Sequence, residues 1–228
     1  MTEPYYTTLR ALHMGGVWLA FAVAPVVLLA RKGGHRHIIY GRCFLLAFTV
    51  GIIAGMLLAA IRSEPPIIGL LLFGLVTLFF LGTGYLAPRI GRGSRVGFPL
   101  DRALTFLGAL ASIGMITEGL QGATLRAPLP SDLTFGLFGL AIAGAHARWR
   151  GASDLSRWRV EHLTSLLAAY TVSWHFILLR YAEAVPEAAR GAVPILGLPI
   201  ILWVRKRVGQ VTTGSEPQLW TRTLVVRR

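Results

Sequence analysis

Seven stretches free of Asp, Glu, Lys and Arg alternate along the chain with short polar, mostly arginine-rich ones: residues 11–30, 43–61, 65–88, 103–117, 133–147, 163–179 and 191–204. A helix needs about 20 mostly apolar residues to cross ~30 Å of hydrocarbon. The first three stretches are long enough outright, and the fourth and sixth reach that length with a flanking polar residue. The fifth and seventh are short, and the seventh carries Pro194 and Pro199, which suits a kinked span or a re-entrant piece. The pattern predicts an all-α, polytopic transmembrane helical bundle of about seven helices.

The polar positions test this count independently, because Lys and Arg near span ends favour the cytoplasmic side. Arg31, Lys32, Arg36 and Arg42 follow the first stretch, Arg89, Arg92, Arg95 and Arg102 the third, and Arg148, Arg150, Arg157 and Arg159 the fifth. The end of the chain adds Arg205, Lys206, Arg207, Arg222, Arg227 and Arg228, while the opposite side holds only Arg10, Arg62, Arg126, Arg180 and Arg190. Eighteen against five, alternating with every loop, is the distribution expected of seven spans with the N-terminus outside and the C-terminus inside. Six spans would put the basic tail on the wrong side. Residues 1–207 thus read as one transmembrane domain, and 208–228 as a basic cytoplasmic tail suited to anionic headgroups. The first apolar stretch runs on through Ala30 to a basic stop, so it reads as a retained span and not a cleaved leader.

Composition agrees. Of 228 residues, 54% are hydrophobic and 14% charged, against about 25% charged in a soluble domain. That excludes an ordinary water-soluble enzyme. The formal charge of +13 does not point to nucleic acid, because the basic residues sit in short clusters between apolar runs with no interleaved stacking platform. A single cysteine, Cys43, rules out an intramolecular disulfide; it is expected to pack within the second helix. Gly91-Arg92-Gly93 lacks the strand and lysine of a phosphate loop, and no Ser-His-Asp arrangement stands out.

Chemistry, if present, is sought among residues that are costly in lipid. The middles of the spans lack Asp, Glu, Lys and Arg, with Glu118 and Arg180 near outer ends and Glu161 near an inner one. A proton pump or cation-coupled transporter usually needs a buried carboxylate, so that class loses ground, although histidine also relays protons. The six histidines fall into two layers. His13 and His175 lie near the outer ends of the first and sixth helices; His35, His37, His146 and His162 lie at the cytoplasmic ends. His162 and His175 are 13 residues apart, about 20 Å along a helix at ~1.5 Å per residue. Thirteen steps leave them about 140° apart in azimuth, where fourteen would have matched better.

Three readings stay open. Two layers of histidine suit b-type haem, with His13 and His175 as one ligand pair and His162 with His146 or His37 as the other. A metal ion suits the cytoplasmic cluster of His35, His37, His146 and His162, with His35 and His37 chelating from an extended loop. The plainest reading has His13 and His175 bonded to hydroxyl or backbone groups inside the bundle and the other four on a solvated basic face. Gly51 and Gly55 form a Gly-x-x-x-Gly pattern, read as internal packing or else as a face for a second copy of the chain. Tyr5, Tyr6, Tyr85, Trp149, Trp158, Tyr181, Trp203 and Trp220 cluster near span ends as an interfacial belt.

The segment Gly34-His35-Arg36-His37-Ile38-Ile39-Tyr40-Gly41-Arg42, together with His13 and with Arg157-Trp158-Arg159-Val160-Glu161-His162, resembles a widespread family of bacterial predicted membrane proteins known only as a domain of unknown function. The resemblance extends to about Arg180; the Gly-Arg pair is offset by residues 37–40, and the later histidine follows an acidic residue. It implies a fold and a multi-pass location in the bacterial cytoplasmic (inner) membrane, without a reaction. The functional expectation is an integral membrane protein without enzymatic activity, an accessory or structural subunit with an interior of Gly, Ala, Leu and hydroxyl side chains, packed against lipid and other membrane proteins. The alternatives are a haem-binding electron-transfer protein and a small-molecule transporter, the latter hinted at by Pro194 and Pro199.

Overall fold

A computed structural model describes residues 3–31, 33–61, 67–93, 97–122, 131–149, 155–180, 192–203 and 206. They form seven helices and no strands. These are α1 (Glu3–Leu29), α2 (His35–Ile61), α3 (Ile67–Ile90), α4 (Gly97–Gly122), α5 (Ser131–Trp149), α6 (Leu155–Arg180) and the short α7 (Ala192–Trp203). The tail from 208 and several arginines used in the charge count, among them Arg62, Arg95, Arg126, Arg150 and Arg190, lie outside the described residues.

Four helices, α1 to α4, are long and apolar enough to cross a membrane. The helices outrun the apolar stretches that predict them. The fourth stretch, 103–117, grows into 26 residues by taking in Asp101, Arg102 and Glu118, and α6 begins eight residues before its stretch, with Arg157, Arg159, Glu161 and His162 already helical. Arg and Glu are good helix formers, so charge ends an apolar run without ending the helix. The seventh stretch contracts instead: the 12 residues of α7 reach about 18 Å at ~1.5 Å each, short of a full crossing.

Successive helices run antiparallel. Gly16 of α1 lies on Ala47 and Gly51 of α2, Gly114 of α4 on Leu72 of α3, Gly119 of α4 on Leu133 of α5, and Gly84 of α3 on Leu166 of α6. The ends rich in arginine, where α1 meets α2, α3 meets α4 and α5 meets α6, therefore gather at one end of the bundle. α3 is the central helix, packed against α2, α4 and α6.

The core differs from expectation in its residue types. Phe48, Phe79, Phe80, Phe135 and Met115 fill it, whereas Leu81 and Leu86 are the only buried leucines among the described residues. Leucines such as Leu46, Leu57, Leu107 and Leu137 face outward. With lipid outside, both faces of a helix meet apolar matter. What draws a face inward is small residues, ring packing and buried polar groups.

The Gly51/Gly55 face is consumed inside the chain. A Cβ on Gly55 would meet His13 Nδ1 at 2.6 Å, and one on Gly51 would meet Val17 N at 3.0 Å. This close approach to α1 leaves no room there for a second copy. Cys43, expected to pack, is exposed. It borders a shallow apolar groove between α1 and α2 of about 340 Å³.

Candidate functional site: a buried acid–imidazole–acid triad

Three helix faces converge at the arginine-rich end. On α4 the buried positions include Asp101, Thr105, Gly108, Ser112, Met115 and Gly119, stepping alternately by four and three. On α5 they include Phe135, Gly139, Ile142 and His146, and on α6 Glu161, Ser165, Ala168, Val172 and His175. Such spacing keeps one line of side chains on a single face. Each line carries an ionisable group where the three helices meet.

His146 lies between the two carboxylates. Its Nε2 is 2.8 Å from Asp101 Oδ1 and 3.0 Å from Oδ2, and its Nδ1 is 2.6 Å from Glu161 Oε1. All three side chains are essentially inaccessible. Phe79 and Trp158 stand edge-on to the imidazole, with centroids at 6.3 and 6.4 Å, and Phe98 packs on Trp158. Trp158 is 3% exposed, so it seals this site and takes no part in an interfacial belt. Glu161 Oε2 is buried and has no hydrogen-bond partner among the described residues.

The arrangement is chemically able to hold protons. At 2.6 Å the His146 Nδ1–Glu161 Oε1 pair has short, charge-assisted geometry. With both carboxylates ionised and His146 as imidazolium, the three groups carry one net negative charge; one further proton cancels it. Uncancelled charge is costly away from water.

This geometry bears on where the candidate haem and metal ligands lie. Both nitrogens of His146 face carboxylates, so it presents none to a haem iron or a metal ion. His13 places Nδ1 2.8 Å from Gly51 O on α2. His175 is buried against Phe73 and Phe135, with centroids at 5.1 and 4.3 Å. One histidine thus belongs to the α1–α2 pair and the other to the α3–α5–α6 core, and no described contact joins them as ligands of one iron. His35 and His37 lie in the first turn of α2, not in an extended loop; His35 is exposed. Among the described residues no group of three His, Cys, Asp or Glu side chains is placed to hold a metal ion.

His37 and His162 do meet, their rings 6.4 Å apart, and each serves the backbone. His37 Nδ1 lies 3.2 Å from Val27 O, at the C-terminal end of α1, where helix carbonyls lack internal donors. His162 Nδ1 lies 2.6 Å from Gly84 O on α3. Four residues beyond Gly84 stands Pro88, which is inside α3 and has no N–H to give that carbonyl. His162 supplies the missing hydrogen bond from another helix. Replacing His162 with alanine is therefore expected to destabilise the protein by about 1–3 kcal/mol by orphaning a carbonyl. Pro88→Ala restores the internal donor and should absorb about 1 kcal/mol of that loss; a double-mutant cycle in detergent checks it, and strict additivity would refute the pairing.

The plainest sequence reading holds for His13, which bonds backbone, and for exposed His35. It fails for His146, expected on a solvated face and found 1% exposed. Sequence reasoning passed over Asp101 altogether. Its signal was present: an acidic residue among the arginines, in line with Thr105, Gly108 and Ser112 on one face. No family model, curated protein or solved structure matches the chain.

Proposed function

We propose that the chain is a multi-pass protein of the bacterial cytoplasmic membrane, N-terminus outside and C-terminus inside, in which Asp101, His146 and Glu161 form the proton-binding site of a proton-linked transporter. The single observation behind this reading is the imidazole held between two inaccessible carboxylates contributed by three helices. It supplies the buried carboxylates that a proton-coupled carrier requires, and it lies at the end that the positive-inside rule assigns to the cytoplasm. The titratable partner of Glu161 is His146 from α5, and through it Asp101 from α4; its own helix carries Arg157, Arg159 and His162 nearby in sequence, and the last turn of α3 carries Arg89. Kinship with the bacterial family named above rests on the motif around His35 and Arg42.

The test is infrared difference spectroscopy of the purified protein across a pH step, with a reporter fused after Arg228 fixing the sidedness of the same chain in cells. A carboxylic C=O band that vanishes in Glu161→Gln, together with a reporter active in the cytoplasm, is the expected outcome. A spectrum identical in wild type and Glu161→Gln would make the triad a fixed clamp and return the protein to the accessory-subunit reading.

A further inference from the structure

Four ionisable side chains are buried among the described residues: Asp101, His146, Glu161 and His175. Three form the triad. The fourth lies on the same face of the same helix, fourteen residues beyond Glu161, or about 21 Å at ~1.5 Å per residue. Between them on that face stand Ser165, Ala168 and Val172, each fully buried. None of the three is larger than valine.

From this we infer that the inner face of α6 is a proton path through the bundle, running from Glu161 to His175 as its far station. The inference rests on the proton-binding reading of the triad and extends it from a site to a route. Glu161 Oε1 is engaged by His146, so Oε2, buried without a partner, is the atom that exchanges a proton with the path. One turn along the face is Ser165, whose Oγ lies 3.2 Å from Thr83 Oγ1 of α3. Midway along α3, between Thr83 at the Ser165 level and Phe73 at the His175 level, stands the hydroxyl of Thr77, buried and bonded to Phe73 O. Ser112 of α4 is likewise fully buried, on the face that meets Gly139 of α5.

The hydroxyls of Thr83, Thr77 and Ser112 each donate to a carbonyl one turn back on their own helix, which leaves their oxygens as acceptors. In the transfer the O–H bond at Glu161 Oε2 breaks and an N–H bond forms on the His175 imidazole. Each hydroxyl or intervening water gives up one proton as it receives another. Release from His175 to the far side and reprotonation of the triad from the arginine-rich side complete one passage; nothing is oxidised or reduced. Around His175, α3 and α5 present the apolar rings of Phe73 and Phe135. Glu118, near the end of α4, and Asp132, at the start of α5, are carboxylates toward that same end of the bundle.

Proteoliposomes carrying the full chain, an internal pH-sensitive dye and a potassium diffusion potential test this route. Wild type is expected to pass protons, and His175→Gln to lower the flux by about tenfold or more, the scale of losing one proton-transferring group. The Glu161 carboxylic band should persist in that variant. Circular dichroism and a monodisperse elution establish that it is folded; if it is not, Ala168→Val, which narrows the face at mid-depth, carries the test with the same expected loss. Undiminished flux in a folded His175→Gln overturns the route, and so does a wild type that passes no protons. In either case a surviving Glu161 band leaves the triad reading in place, whereas loss of that band in wild type removes both.

Discussion

Replacing His146 with alanine is expected to destabilise the bundle by about 3–5 kcal/mol, the usual scale for removing one partner of a buried ion network. The imidazole separates two inaccessible carboxylates on α4 and α6. Without it, Asp101 and Glu161 face a cavity with like charge and no shared proton. Burial of such a pair is far more costly than the packing lost with a histidine ring. The contrast that isolates electrostatics from volume is the apolar triple replacement, Asp101→Leu with His146→Leu and Glu161→Met. Its stability should lie within about 1–2 kcal/mol of wild type, because a well-packed hydrophobic core often equals a buried salt-bridge network. Reversible unfolding in mixed micelles measures both. A His146→Ala protein within experimental error of wild type would mean that the triad is not a closed unit.

The second large effect comes from two adjacent glycines on α1 with opposite expected signs. A Cβ on Gly16 would meet Ala47 O at 2.5 Å and both Gly51 Cα and Gly51 N at 2.8 Å. All three are backbone atoms, so only separation of α1 from α2 makes room, and Gly16→Ala is expected to cost about 1–3 kcal/mol. Separation would also stretch the His13 contact with Gly51 O. A Cβ on Gly15 meets nothing within 4 Å, and Gly15→Ala should stabilise by up to about 1 kcal/mol through helix propensity. Thermal unfolding of the two variants side by side decides the matter. Equal shifts would show that the α1–α2 contact is looser than the Gly16–Gly51 geometry requires.

Much of the architecture is legible without coordinates, because the cost of leaving backbone unsatisfied in lipid forces long apolar runs into helices. The alternation of arginine-rich connections likewise foretells that the ends of α1, α3 and α5 gather with the starts of α2, α4 and α6. What escapes is the inside of the bundle. Hydropathy treats Asp101 and Glu161 as boundary marks, yet both are helical and buried. Composition nominates leucine as core, although a chain surrounded by lipid gains little by hiding Leu46 or Leu137 and more by interlocking Phe79, Phe80 and Phe135. The histidines show how near a spacing argument can come: His162 is thirteen residues from His175 and faces elsewhere, while the residue that shares its face at fourteen is the neighbouring Glu161. That pairing is visible only when carboxylates and imidazoles are sought on one face together, because imidazole serves as readily for hydrogen bonding as for metal ligation.

The bond from His162 to Gly84 has a mechanical consequence. Proline weakens α3 just before its last turn, and helices bend at such points. The strut across that weak point belongs to α6, one residue from Glu161. Flexing of the end of α3 therefore cannot occur independently of α6: either the imidazole follows the carbonyl and α6 rotates with it, or the strut breaks and α3 swings alone. On the proposed transporter reading, which asks the bundle to open first to one side of a membrane and then to the other, a joint whose brace is carried by the neighbouring helix couples the two motions at no cost in added residues.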